Sequence, residues 1–550
     1  MYLIFDTETT GLPRNDKAPI SDTDNWPRMV QIAWQLHDEM GTLLEHKDFL
    51  IQPDGYSIPY KSEQIHGIST ELAQAKGSPL SDVLKEFELV LGKSNFIVGH
   101  NLGFDINVLG CEFYREDVET KLLDIPVLDT CSRSTAEVCQ IPGGKGGRFK
   151  YPTLSELHQF LFVQEFGEAH NATADVEATA RCFLELVRRD KFTSAELLQD
   201  QSYLQKFLQH NESPFEPVGI DHVSLKKESA AIRASGESDE DSGQQADVGN
   251  NIELLRSARY SHLHNHTQFS ILQSTTEVNT LIKKAVEEKM PAVALTDSGN
   301  MMAAFQFVSA AEKHNGALEQ QIQQHEKELE EVTDPEQRIE IRKKIDRYND
   351  GKVKPIVGCE LNVCRDRLDK SYQDNGSKVL FLAKNKKGYR NLSKLSSLGF
   401  VEGFYYVPRI DKQAVLEYKD DLIVTTGGLG GEIPNLILNF GKEQAEEAFV
   451  WWKEQFGDDF YVELLRHDLE EERRVNQILL QFAEKYEVKY FASNNTFYPD
   501  KEEAGAHDIL LCVKDGEKKE TPIGRGKGFR FGFPNDQFYF KSQDEMKELF

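Results

Sequence analysis

The sequence predicts two α/β units in tandem, the first with a mixed sheet and the second with a parallel sheet closed into a barrel. Three observations carry this. A chain of 550 residues is long enough for several folding units. Short β-branched or aromatic runs alternate with amphipathic helical stretches on either side of residues 211–251. That stretch itself has almost nothing to bury. With 39% hydrophobic residues, 33 Phe and 18 Tyr, there is enough apolar material for real cores, which excludes a wholly disordered chain.

In the first unit, residues 1–210, strands are expected at 2–5, 30–36, 42–51 and 96–98. Helices are expected at 81–91, 104–113 and 176–187; in the last, Val176, Ala180, Phe183, Leu184 and Val187 fall on one face. Residues 211–251 read as an acidic, self-repelling linker, with Glu237, Asp239, Glu240 and Asp241 clustered. In the second unit, residues 252–550, strands are expected at 260–266, 292–296, 356–363, 379–382, 422–425, 460–464 and 490–493, with helices between most of them. Regular alternation of this kind suggests a parallel barrel. An insertion at about 316–352 reads as a charged antiparallel helical hairpin. Its second helix starts at Asp334-Pro335, with Asp as N-cap and Pro at the first helical position.

Composition narrows the function classes. Lys and Arg number 64 against 91 Asp and Glu, a net charge of −27. The apolar runs fall short of the ~20 residues a spanning helix needs, and the N-terminus has no basic region or cleavage signal. Seven cysteines, an odd number without a CxxC pair, point to reduced thiols and a cytoplasmic protein rather than a disulfide framework or thiolate zinc site.

The first chemical signal is Phe5-Asp6-Thr7-Glu8-Thr9, directly after a buried-type strand. Residues two apart on a strand share a face, so Asp6 and Glu8 point the same way. Paired carboxylates at a strand end repel unless a hard cation such as Mg²⁺ joins them. Two more segments follow: Gly99-His100-Asn101-Leu-Gly-Phe-Asp105, a strand end leading into a helix with an acid, and His170-Asn-Ala-Thr-Ala-Asp175, which opens the last helix of the unit. Singly, each reads as ordinary helix capping or dipole compensation.

Together, Asp6-x-Glu8, Asp105 and His170-x₄-Asp175 resemble the proofreading 3′→5′ exonuclease superfamily, of the DEDDh type seen in bacterial replicative epsilon subunits. The resemblance covers about residues 1–190. It implies an RNase H-like fold and removal of nucleotides from a DNA 3′ end. It further implies two Mg²⁺ per site, with Mn²⁺ as a substitute, on Asp6, Glu8, Asp105 and Asp175, and His170 as general base. Such a pair, ~3.5–4 Å apart, stabilises the attacking and leaving oxygens of an in-line displacement. The same resemblance marks Thr9, Leu12, His66, His100 and Asn101 as positions that meet the substrate.

In the second unit, His262, His264 and His266 alternate on an expected strand and so share a face. With Asp297, Glu360 and the segment around Tyr389, they resemble the PHP domain of bacterial DNA polymerase III alpha subunits, a distorted (βα)₇ barrel. His264, His266, Asp297 and Glu360 match its metal-ligand pattern. Gln273, Ser298, Lys378, Gly428, Asn495 and Phe497 stand where further ligands are expected. With most of the ligand set replaced, a stable trinuclear metal site and phosphoesterase activity are not expected. The resemblance implies the N-terminal part of an alpha subunit: its ligand is a DNA primer terminus, its partners the sliding clamp and clamp loader of a replisome, and nucleotide addition belongs to a longer chain. An RNA-directed exonuclease of the same fold and a non-catalytic replisome scaffold are the alternatives.

Overall fold

The computed structural model describes residues 1–550 except 14, 144–147, 165–170, 221–222, 241–257 and 525–528, with the backbone alone at 233–240. Its described residues form two compact units, and the division falls inside the acidic stretch. All seven cysteines are free thiols, and no described helix is long and apolar enough to cross a membrane.

The first unit is built on a five-stranded sheet in the order β3-β2-β1-β4-β5. These strands are Tyr2–Thr9 (β1), Met29–His37 (β2), Leu43–Leu50 (β3), Phe96–Gly99 (β4) and Val127–Asp129 (β5). β1 pairs antiparallel with β2 and parallel with β4, so the sheet is mixed as expected. Strand alternation divides β1 between two cores. Tyr2 and Ile4 pack with Val176, Ala180 and Phe183 of the helix Ala172–Arg188. Leu3 and Phe5 pack on the other face with Val108 and Leu109 of the helix Gly103–Arg115. A helix thus covers each face of the sheet, and both helices carry an acid in the first turn, Asp175 and Asp105.

Part of the expected linker is ordered on this unit. From Phe215 the chain runs back along the helix Ala172–Arg188: Arg181 Nε donates to the Phe215 carbonyl (2.7 Å), Gly219 N to Glu177 Oε1 (3.0 Å) and Asn171 Nδ2 to the Val223 carbonyl (3.4 Å). It then forms the helix Leu225–Glu240, whose Leu225 is buried with Val30, Ile58, Ile68, Leu72 and Ala73. Ser229 Oγ donates to the Gly67 carbonyl (2.7 Å) and accepts from Ser69 N (3.1 Å). Gly67 has φ +81°, and a Cβ there would lie 2.7 Å from Lys226 N, so only glycine allows this approach. The acids that give this stretch its linker composition come after residue 236, whereas Leu225 and Ser229, spaced four apart on one helix face, are buried. Leu225→Asp, which sets a carboxylate in that apolar pocket, should destabilise the first unit by about 3 kcal/mol. A lowered thermal midpoint reads this out; an unchanged one would mean the helix does not seat there.

In the second unit the strands are His264–Asn265 (β6), Ala292–Leu295 (β7), Lys354–Cys364 (β8), Ser377–Ala383 (β9), Arg409–Asp411 (β10), Leu422–Thr425 (β11), Phe460–Leu465 (β12), Tyr490–Ser493 (β13) and Asn495–Thr496 (β14). β7 pairs with β8, and the main sheet runs β10-β8-β9-β11-β12-β13. β14 follows β13 in the chain and pairs with β6. Ala294 N donates to the His262 carbonyl and Thr296 N to the Asn265 carbonyl (2.9 and 3.0 Å), which joins β6 to β7. The sheet is not wholly parallel, because β9 is antiparallel to both β8 and β11. No helix lies between β8 and β9, only the loop 365–376, and a strand that returns without a crossover returns antiparallel.

β6 is shorter than the sequence suggests. The Asn265 side chain donates to the Ala294 carbonyl (2.8 Å), an acceptor that a longer ladder would use, and also to the His262 carbonyl (3.1 Å). The hairpin also begins earlier than expected. The helix Ala304–Glu331 starts inside the second unit, where Ala304, Phe307 and Ala311 are core residues. It then pairs with Pro335–Asp350, where Asp334 is the N-cap as expected and Ile322 and Ile341 are buried.

Candidate metal centre and a second ionic cluster

β1 ends in Asp6 and Glu8, on the face covered by the helix that carries Asp175. One carboxylate oxygen from each of Asp6, Glu8 and Asp175 lies within 4.8 Å of the others. Asp105 arrives from the opposite face of the sheet, and its Oδ1 accepts from Thr7 Oγ1 (2.7 Å) and Thr7 N (3.2 Å). Burial and the crowding of like charges act together. Asp6 is pushed well above the usual carboxylate range by desolvation, then by Asp105, Asp175 and Glu8. Glu8 rises to about 8 through desolvation and the charges of Asp175 and Asp105. Asp105 rises to about 7 by desolvation, against the pull of its bonds from Thr7. Among the described residues, the charges that act on Asp6 are those of Asp105, Asp175 and Glu8, a donor set of hard oxygens that fits a divalent cation such as Mg²⁺.

The positions expected to meet substrate divide. Leu12 is 84% exposed, a large apolar side chain four residues beyond Glu8. Thr9 is buried and its hydroxyl donates to the Gly11 carbonyl (2.7 Å), bracing that turn. Asn101 is exposed with φ 63°. His100 is turned inward: Nδ1 meets Thr130 Oγ1 (2.9 Å) and Nε2 the Pro152 carbonyl (3.1 Å), and burial lowers its pKa. Both nitrogens are thus taken, and they tie β4 to the loop before the helix Leu154–Phe162. His66 is buried, and its Nδ1 accepts from Ile68 N (3.1 Å). His170 lies outside the described residues.

Asp129, at the end of β5, did not stand out in the sequence. Its carboxylate accepts from Asn101 N (2.9 Å), Leu102 N (3.1 Å) and Cys131 N (2.7 Å), and so fixes the turn from which the Asp105 helix departs. An acid closing a short strand, in Val-Leu-Asp129-Thr, was the available signal.

In the second unit, His264, His266 and Glu360 come together, all buried. His264 Nδ1 donates to Glu463 Oε1 (2.8 Å), and its Nε2 faces Glu360 Oε1 (3.5 Å). Held between two carboxylates, His264 rises to about 9 despite desolvation, which favours the imidazolium form at neutral pH. His266 falls to about 3 through burial and stays neutral, stacked on Phe497 at 4.3 Å. The Lys378 ammonium lies 2.8 Å from Glu360 Oε2, and Ser298 Oγ donates to the same oxygen (3.0 Å).

Two of the expected groups stand apart. Asp297 accepts from Thr267 N (2.6 Å), Thr267 Oγ1 (2.8 Å) and Ser270 Oγ (2.7 Å), which commits its carboxylate to the loop after β6. His262 lies outside the two-residue strand β6. Its Nε2 donates to the Lys541 carbonyl (2.8 Å), and its ring lies against Phe540. Glu463, fully buried, is the residue that sequence reading missed. Its signal was an acid in the apolar run Phe-Tyr-Val-Glu463-Leu-Leu.

Residues 3–183 match the family model described as Exonuclease, and residues 262–467 match the one described as PHP domain. The chain joins an exonuclease domain to a PHP domain. Among curated relatives, DNA polymerase III subunit alpha of Borreliella burgdorferi is 34% identical over 297 residues, 53% of this chain and 22% of the relative. The subunit of the same name from Thermus aquaticus is 33% identical over 298 residues, 53% of this chain and 21% of the relative. These matches lie over the PHP region, and the chain spans about a fifth of the length of these relatives. Among solved structures, E. coli exonuclease I in complex with a 5cy-dA13 oligonucleotide is 21% identical, covering 38% of this chain and 43% of that one, with a TM-score of 0.27. An exonuclease I from Methylocaldum szegediense is 21% identical over 34% of this chain and 40% of that one, with a TM-score of 0.28.

Proposed function

We propose that the exonuclease domain is a Mg²⁺-dependent 3′→5′ exodeoxyribonuclease that edits a DNA primer terminus, as the proofreading part of a cytoplasmic DNA polymerase III alpha subunit. The observation that carries this is the convergence of Asp6, Glu8 and Asp175, with Asp105 beside Asp6. These four residues would hold two Mg²⁺ ions. When bound, they supply the positive charge that an in-line displacement at a phosphodiester needs. His170 is assigned to take the proton from the attacking water, since imidazole has the ordinary pKa nearest neutrality. Leu12 and Asn101, both exposed, are assigned to the terminal nucleotide.

The PHP domain is read as a structural module in which Lys378 and protonated His264 provide the positive charge around Glu360. Through the longer polymerase, the chain would work beside the sliding clamp and clamp loader. The attached PHP domain and its polymerase relatives favour DNA over RNA as substrate.

The test is Mg²⁺-dependent trimming of a primer–template 3′ end by wild type and Asp175→Ala, with a matched RNA oligonucleotide alongside. Loss of trimming in Asp175→Ala and preference for DNA are expected; equal activity in the variant would overturn the reading. For His170→Ala the expectation is turnover reduced by about a hundredfold or more with Mg²⁺ binding retained, measured by single-turnover kinetics and calorimetry. Full activity would remove His170 from the mechanism.

A further inference from the structure

We propose that Thr7 is a positioning residue for the exonuclease site, holding the Asp105 carboxylate in the orientation in which it serves the cation. This rests on the exonuclease reading above. Thr7 lies between Asp6 and Glu8 in β1, and strand alternation turns its side chain to the opposite face of the sheet. That face is the one covered by the helix Gly103–Arg115, from which Asp105 rises. The Asp105 carboxylate therefore comes from beneath the strand whose upper face carries Asp6 and Glu8. A short acid side chain in that place needs something to fix its rotation.

Thr7 does so with two donors. Its hydroxyl lies 2.7 Å and its backbone N–H 3.2 Å from the same oxygen, Asp105 Oδ1. Both groups are buried, Thr7 at 6% exposure and Asp105 at 5%, so water competes poorly for these bonds. Two donors on one oxygen restrain the rotation of the carboxylate, and Asp105 is the charged group that acts most strongly on Asp6. The backbone donor is present whatever residue stands at position 7; the hydroxyl donor is not. The side chain is thus the part of this arrangement that a substitution can remove without moving the strand.

The experiment compares Thr7→Val, Thr7→Ser and Asp105→Asn in the full chain, with the double variant Thr7→Val/Asp105→Asn. Two quantities are read: Mn²⁺ binding by calorimetry without DNA, and kcat and KM for primer trimming in Mg²⁺. Thr7→Val keeps the shape and loses the hydroxyl. It should weaken Mn²⁺ binding several-fold and lower kcat about tenfold with KM unchanged, and Thr7→Ser should restore both. In the Asp105→Asn background, Thr7→Val should add little, because both changes act through one carboxylate. Wild-type Mn²⁺ affinity in Thr7→Val, equal damage in Thr7→Ser, or full additivity in the double variant would each overturn the proposal. The Mn²⁺ arm separates it from the exonuclease reading: altered binding with no trimming by wild type would leave Thr7 in its role and remove the nuclease.

Discussion

Asp6→Asn should abolish Mg²⁺-dependent trimming, by about a thousandfold or more, and at the same time raise the melting temperature of the metal-free exonuclease domain. The loss follows from removing the carboxylate that Asp105, Asp175 and Glu8 all surround. The gain follows from the same crowding. In the absence of a cation, the folded state holds like charges together and lifts Asp6 and Glu8 above their ordinary values. A carboxylate with a raised pKa binds its proton more tightly folded than unfolded. It therefore costs little at low pH, and it lowers stability as pH rises above the ordinary carboxylate range. For Glu8 that cost is fully developed above about pH 8. Asparagine at position 6 removes one charge and relieves its neighbours, so the variant should melt several degrees higher at pH 8 in EDTA and show a flatter pH profile. Mg²⁺ should stabilise the wild type markedly and the variant weakly. A variant that melts below wild type in EDTA at pH 8 would mean that these acids do not repel one another in the folded protein.

How much of this site was legible beforehand depended on whether local sequence could express it. Asp6 and Glu8 were readable because strand alternation alone puts them on one face. Asp105 and Asp175 were readable as first-turn acids of helices with clear apolar periodicity, and the observed helices Gly103–Arg115 and Ala172–Arg188 extend the expected ones by only a few residues. What local pattern could not express was which partner each side chain would find. His100 looked like a substrate ligand, but Thr130 and Pro152, some thirty and fifty residues later, take both of its nitrogens. Nothing in the local sequence marks Thr7; its partner, Asp105, comes from the opposite face of the sheet. The first strand of the PHP domain shows the same limit: alternation puts His262, His264 and His266 on one face, whereas β6 spans only His264–Asn265 and His262 is bonded to the Lys541 carbonyl. The ordered start of the linker was missed because composition was averaged across a stretch in which Leu225 and Ser229 are buried and the acids come later.

Glu463→Gln should destabilise the PHP domain most strongly near pH 6 and progressively less toward pH 9. Glu463 is fully buried and accepts from His264 Nδ1 (2.8 Å), Ser493 Oγ (2.7 Å) and Thr425 Oγ1 (2.8 Å). Neutralising it leaves the buried imidazolium with Glu360 alone, and breaking a buried pair by removing one partner costs about 3–5 kcal/mol. The sign of the pH dependence follows from both partners. His264 is raised from 6.5 to about 9, so its contribution is complete below pH 6.5 and lost as pH rises through 9. Glu463 is lowered from 4.5, so its contribution is complete above that value and lost only in stronger acid. Between about pH 4.5 and 6.5 both charges are in place, and there the variant should fall furthest below wild type in thermal unfolding. The same measurement in EDTA distinguishes an ionic cluster from a metal centre. If His264 and His266 served a metal, chelation would lower the wild-type midpoint and His264 would have to be neutral, so Glu463→Gln would lose its maximum effect near pH 6. With Lys378 already 2.8 Å from Glu360, and with His264 charged, the cluster has its cations in the chain itself, and EDTA should leave the wild-type midpoint of this domain where it was.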